Sequence, residues 1–422
     1  MEETTDCTDA TDEEVHEIRD IRVIRGRILA AAKSRAMTGL HQQGKSEPST
    51  TWRFVLGVAL KAALLFVACN VVFAALEPLE TLGAISLYNR IVPGRERLPY
   101  GENPAESYNL SLYNVPAMIA SHRIAQPKAP DEYRVLIIGD SGTWGWLLDN
   151  EDTLAGQINA GGYVTADGRR VDAYNLAYPI MSLTKDLMLL DAATRSVHQP
   201  DLIVWPVTAE SFPRDRQLTP PLLQNNASRV RALIDGYRLN LDASDPRFVE
   251  PDFAGRTIVG QRRALANLLR LQWVGFSWAA TGIDRAIPGE VTLRQSDFDQ
   301  DLSWHDYKEP VRLTGDDLAF DVLAAGVARA GDVPVLIVNE PMYVSSGRNS
   351  NLRYNSFYPR WAYDRYRELL AEAARKNGWR YLDVWESIAP EEFTDTPVHL
   401  TPEGAAQFAQ RVAAAILETA NE

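Results

Sequence analysis

The stretch VLIIGDSGTWGWLL, residues 135–148, is an apolar run that ends on Gly139, Asp140 and Ser141. Further glycines follow at Gly142 and Gly145. A serine at the tip of a buried strand has three readings: a nucleophile at the mouth of a sheet, part of a phosphate loop, or a turn residue. A strand–glycine–helix context suits an anion, yet no Lys or Arg stands nearby in sequence to pair with one. The nucleophile reading needs a base, because a serine hydroxyl attacks poorly until its proton is taken. One histidine is placed for that work. His399, in DTPVHLTPEG (395–404), precedes a Thr-Pro-Glu helix start. Helix capping accounts for Thr401 and Glu403 but not for His399. Asp395, four residues earlier, is the candidate to orient it.

Composition narrows the remaining chemistry. The chain has 422 residues and a formal net charge of -13. It offers no basic stripe for phosphate, which argues against a nucleic-acid partner. Its two cysteines, Cys7 and Cys69, both precede the large C-terminal part, so no thiolate metal site or disulfide framework is expected there. The six histidines are scattered, with no HExxH spacing. No metal and no cofactor is expected.

The elements that must position Ser141 and His399 read as an α/β domain. Short apolar strands at 133–138, 171–176, 201–207, 333–338 and 379–384 alternate with helices at 153–160, 183–197, 316–330, 360–377 and 402–419. That alternation predicts a parallel sheet covered on both faces. The hundred-odd residues between the third and fourth strands, 212–315, are too many for a structureless loop and predict an inserted lid. Its apolar helix, 264–280, is expected to form the lid's own core, with contact to a bilayer or an acyl groove as the lesser reading. Residues 77–130 read as an extended connector.

Ahead of these lies FVLGVALKAALLFVACNVVFAAL, 54–76, long enough to cross a bilayer. Lys33, Arg35, Lys45 and Arg53 precede it, whereas Glu77 and Glu80 follow. The positive-inside rule therefore predicts a cytoplasmic tail at 1–53, acidic and largely disordered at its start, and an extracytoplasmic domain at 131–422.

In an open parallel sheet, ligands bind beyond the carboxyl ends of the strands. Asn175, Thr208, Glu210, Asn339 and Glu340 gather at that edge with Ser141. With those residues in view, IIGDSGTWG, AYNLAYPIMS, PDLIVWPVTAES and TPVHLTPEG resemble the four ordered blocks of the SGNH (GDSL-type) hydrolases. The resemblance spans roughly 133–210 and 333–415. It implies a flavodoxin-like α/β/α fold and acyl-ester hydrolysis or transfer, with Ser141 as nucleophile and His399 as base. It also implies an oxyanion hole that includes the Ser141 N–H.

The chain departs from the pattern at three places. Ile180 stands where the second block has glycine. Glu210, which only accepts at neutral pH, replaces the asparagine of the third, leaving Thr208 as the alternative donor. Asp395 lies one residue further from the histidine than in the family. Such departures resemble those of membrane-anchored SGNH-like proteins associated with acylation or deacylation of cell-envelope polysaccharides. The expected function is a membrane-anchored esterase or acyltransferase acting on an acylated, most simply acetylated, envelope glycan or lipid. The alternative is a silent SGNH-like domain that binds glycan or scaffolds a membrane assembly.

Overall fold

The structure, a computed structural model, describes residues 52–101, 112–196, 199–281 and 290–422. The tail expected at 1–53 lies almost wholly outside the described residues. Two compact units divide the chain, Met1–Val67 and Ala68–Glu422. Among the described residues one helix, α1 (Trp52–Leu76), is long and apolar enough to cross a membrane, and most of its side chains are exposed. The sequence reading began it two residues later.

The elements that follow are α2 (Leu79–Gly83), α3 (Val115–Ser121), β1 (Glu132–Ile137), α4 (Ser141–Trp144), α5 (Leu154–Ala160), β2 (Arg170–Asn175), α6 (Leu183–Ser196) and β3 (Leu202–Val207). Next come α7 (Pro221–Gln224), α8 (Ala227–Tyr237), α9 (Phe253–Arg256), α10 (Arg262–Thr281), α11 (Phe320–Ala330), β4 (Val335–Asn339), α12 (Arg360–Asn377), β5 (Arg380–Asp383) and α13 (Pro402–Ala420). The five strands form one parallel sheet in the order β2-β1-β3-β4-β5. This is the flavodoxin-like order, whose ligand crevice opens where the chain reverses direction beside β1.

Alternation along each strand builds two cores. Val135 and Ile137 point to the face covered by Ile158 of α5 and Phe408 and Val412 of α13. Leu136 and Ile138 point the other way, into a larger core with Leu187, Leu323 and Tyr366 from α6, α11 and α12. With helices on both faces, the molecule has the three layers expected of its sequence pattern.

Two sequence readings are corrected here. The described part of 77–130 is not an extended connector. Asn114 caps α3, accepting from Ala117 N at 2.9 Å, and Leu98, Val115 and Met118 are fully buried in the larger core. Helix α10 is not the core of a separate lid either. Leu268 and Leu271 turn inward to that same core, and α10 packs against α2, α3 and the turn Tyr88–Arg90. The start of the 212–315 insertion is equally integrated, since Phe212, Leu222, Leu223 and Val230 are fully buried there.

Candidate active site

The chain leaves β1 at Gly139 and turns at once into the single turn of α4. Asp140 is its N-cap, accepting from Gly142 N at 2.9 Å, and this sets Ser141 at the first helical position. Gly142 cannot carry a side chain, because a Cβ there would stand 2.9 Å from the Val398 carbonyl oxygen. Gly145 ends the turn at φ 90°, in the left-handed region that suits glycine. Asn175, at the end of β2, steadies α4 by donating to Thr143 O and Trp144 O. Its part is structural.

The Val398 contact brings the C-terminal loop onto the serine. His399 Nε2 lies 2.8 Å from Ser141 Oγ, and His399 Nδ1 lies 2.8 Å from Asp395 Oδ1. His399 is 6% exposed and stacks on Trp146, with ring centroids 5.9 Å apart and planes 25° from parallel. Burial raises the Asp395 carboxyl, but its hydrogen bond and charge interaction with His399 outweigh that and hold it below the usual range. An ionised Asp395 fixes the proton on Nδ1 and leaves Nε2 to accept from the serine. The extra residue between Asp395 and His399 therefore does not break the contact.

The oxyanion side differs from the sequence reading. Ile180 sits in the loop after β2 at φ 82°, a strained value for a β-branched residue. The backbone thus keeps the shape that glycine would favour. Neither the Ser141 N–H nor the Ile180 N–H donates to another group among the described residues. Thr208 Oγ1 is hydrogen-bonded to Tyr358 Oη, whose hydroxyl also accepts from Glu210 N. The Glu210 carboxylate is taken up by the insertion, accepting from Trp304 Nε1 at 3.1 Å and contacting His305 Nε2 at 3.2 Å, with Arg216 at 3.6 Å. Bound in this way, it is committed to the insertion rather than to a developing oxyanion.

Two of the expected substrate contacts are corrected. Asn339 is fully buried; its amide donates to Asp383 and Tyr363, and its oxygen accepts from Tyr366. Glu340 is buried beneath the serine turn, with Thr143 Oγ1 at 3.5 Å from its Oε2. Both side chains are turned into the protein, and neither reaches the crevice.

Glu340 instead belongs to a buried polar cluster that sequence reasoning missed. Lys185, fully buried on α6, donates to Gly139 O and Tyr178 O at 2.6 Å each and pairs with Asp186 at 2.7 Å. It ties the end of β1 to the loop that carries Ile180. Burial, opposed chiefly by Lys185, raises Asp186 to about 6. Burial likewise raises Asp140, against the pull of Lys185, the Gly142 N–H and His399. Burial, then the charges of Asp140 and Asp186, push the Glu340 carboxyl well up. Glu340 Oε1 has no hydrogen-bond partner, and its carboxyl interacts with that of Asp140. Two neighbouring buried carboxyls resist ionising together, and Glu340, pushed well up, is the one that favours its proton. The visible signal was Lys185-Asp186 inside an otherwise apolar helix, LTKDLMLL. Arg97 also escaped notice; it is buried, lies over the Trp144 ring and donates to Gly145 O and Leu148 O at 3.0 Å.

Among the described residues, no group of three or more His, Cys, Asp or Glu side chains is placed to hold a metal ion. No family model matches the chain, and no curated protein matches it. Solved structures similar to it include a carbohydrate acetylesterase family member from Sinorhizobium meliloti, at 11% identity over 68% of this chain and 99% of that one, with a TM-score of 0.30. The aryl esterase of M. smegmatis is 12% identical over 68% and 98%, also at 0.30. A family two carbohydrate esterase from Clostridium thermocellum is 10% identical over 69% and 65%, again at 0.30. Likeness at this level fixes neither substrate nor residue roles.

Proposed function

We propose that the chain is a membrane-anchored serine ester hydrolase or acyltransferase. The observation that carries this reading is the hydrogen-bonded series Ser141 Oγ, His399 Nε2, His399 Nδ1 and Asp395 Oδ1, with both links at 2.8 Å. Ser141 Oγ attacks an acyl carbonyl while its proton passes to His399 Nε2. The tetrahedral oxygen accepts from the N–H groups of Ser141 and Ile180. Collapse expels the alcohol, which takes the proton from His399, and leaves an acyl group on Ser141. Water or an acceptor hydroxyl, deprotonated by His399, then removes that acyl group. Asp395 stays ionised and stabilises the imidazolium.

The substrate class is an acylated glycan or lipid at the cell envelope, reached by a domain held outside the cytoplasm through α1. Support for this location is the charge balance about α1, with Lys45 and Arg53 before it and Glu77 and Glu80 after it. Labelling of the full chain with a fluorophosphonate, together with turnover of 4-nitrophenyl acetate, tests the chemistry. Label and turnover should both vanish in Ser141→Ala. A wild-type chain that neither labels nor hydrolyses acyl esters refutes the enzyme reading in favour of a binding domain. C-terminal fusions to alkaline phosphatase and to a cytoplasm-only fluorescent protein test the side of the membrane. An active phosphatase is expected.

A further inference from the structure

Helix α10 is fastened on one side only. Its inner face is held by buried Leu271 and by Gln272, which donates to Ile85 O at 3.1 Å and accepts from Leu87 N at 2.7 Å. Gly275 lies so close to Tyr88 that a Cβ would stand 2.3 Å from its ring. The outer face carries Leu269, Trp273 and Phe276, which are 72%, 80% and 44% exposed. Their spacing, i, i+4 and i+7, aligns them in one stripe. Leu87 and Ile91, from the segment that α10 packs against, are exposed as well. Single exposed apolar residues need no explanation, whereas several gathered along one helix face suit an interaction surface.

Two further observations identify the partner. From Phe253 to Ile283 the sequence holds Arg256, Arg262, Arg263 and Arg270 and no acidic residue, in a chain of net charge -13. Local positive charge beside an apolar stripe is the pattern of a helix lying in an anionic lipid interface. The chain leading into α10 is also tied to the last turns of α1. Val259 N donates to Asn70 Oδ1 at 3.2 Å, and Arg256 pairs with Glu77 at 2.5 Å. The segment entering α10 therefore starts beside the residues where an apolar helix would leave the bilayer.

We propose that α10 is a second, interfacial membrane contact. Leu269, Trp273 and Phe276 enter the headgroup–acyl boundary, and Arg262, Arg263 and Arg270 face anionic lipid phosphates. The domain then lies on the membrane instead of standing off it on α1. This rests on α1 spanning the bilayer, and Cys69, exposed on α1, reports that premise separately.

The test uses the full chain with Cys7→Ser, reconstituted in vesicles of phosphatidylcholine and phosphatidylglycerol. A bimane label is placed on Cys69 or, with Cys69→Ser also present, on Leu269→Cys, Trp273→Cys or Asp332→Cys. Quenching is read with nitroxide-bearing lipids and with aqueous iodide. Labels at 269 and 273 should be quenched by lipid nitroxide several-fold more than the label at exposed Asp332, and protected from iodide. If Cys69 is quenched from the lipid while 269 and 273 respond only to iodide, α10 does not touch the membrane and the proposal falls alone. Protection of 269 and 273 from both quenchers means that a second copy of the chain covers the stripe, which also overturns it. A Cys69 label untouched by lipid nitroxide removes the anchor and this inference with it.

Discussion

Glu340→Gln isolates the proton shared beneath the serine turn. In the folded chain burial and the neighbouring Asp140 and Asp186 charges push the Glu340 carboxyl well above the 4.5 at which the unfolded chain releases its proton. A group whose pKa is raised on folding contributes stability that is complete below its unfolded pKa and is lost as pH rises towards the folded one. Over that window the folded state binds one more proton than the unfolded state, and the loss is about 1.4 kcal/mol per pH unit. The carboxamide of Gln keeps a donor toward Asp140 and an acceptor toward Thr143 but has no proton to take up. Below pH 4.5 the two proteins should differ by no more than ~1 kcal/mol, about the net worth of one hydrogen bond. Above it, the variant should gain on wild type by about 1.4 kcal/mol, or tenfold in the unfolding constant, for each further pH unit until the folded pKa is passed. Asp140 and Asp186 titrate in both proteins, so the difference between the curves belongs to the Glu340 site and its coupling to Asp140. Urea denaturation followed by tryptophan fluorescence, repeated from pH 4 to 8, measures it. Parallel stability curves across that range would show that Glu340 ionises equally in both states and refute the shared proton.

Other outcomes follow from the same geometry. Ser141→Ala and His399→Ala should each lower ester turnover by at least ~10³, with the double variant little worse, because residues acting as one unit do not add. Asp395→Asn should cost about 10 to 10⁴, read from initial rates, since it disturbs the tautomer but leaves the base in place. Ile180→Gly removes the strain of φ 82° and keeps the N–H; thermal unfolding should show it about 1 kcal/mol more stable, with turnover kept or raised. Lys185→Met should destabilise by about 3–5 kcal/mol in urea, because it leaves Asp186 as a buried charge without its partner.

Much of this was legible in the chain. Strands buried on both faces are written as unbroken apolar runs, so all five were found within about two residues. Ser141, His399 and Asp395 stood out because capping and turn chemistry left the histidine unexplained. What escaped depends on the direction in which side chains point. Asn339 and Glu340 occupy the sheet edge where ligands bind, yet the pleat turns both into the protein. Glu210 looked like a misplaced charge because its partners, Trp304 and His305, lie ninety-odd residues away. Residues 112–125 were taken for a connector although Asn114 and Pro116 already spell a helix start. Their Tyr- and Asn-rich surroundings hid the signal.

The contact of Gly142 with the Val398 carbonyl bears on how the molecule comes together. It joins a turn made early in the chain to a loop made near its end, and Ser141 and His399 are 258 residues apart. Closing so wide a loop is entropically costly and comes late in assembly. A nascent chain would therefore hold an inert serine until α13 docked. Catalytic competence is thus a report on the whole topology. Under mild denaturant, activity should disappear before the sheet does.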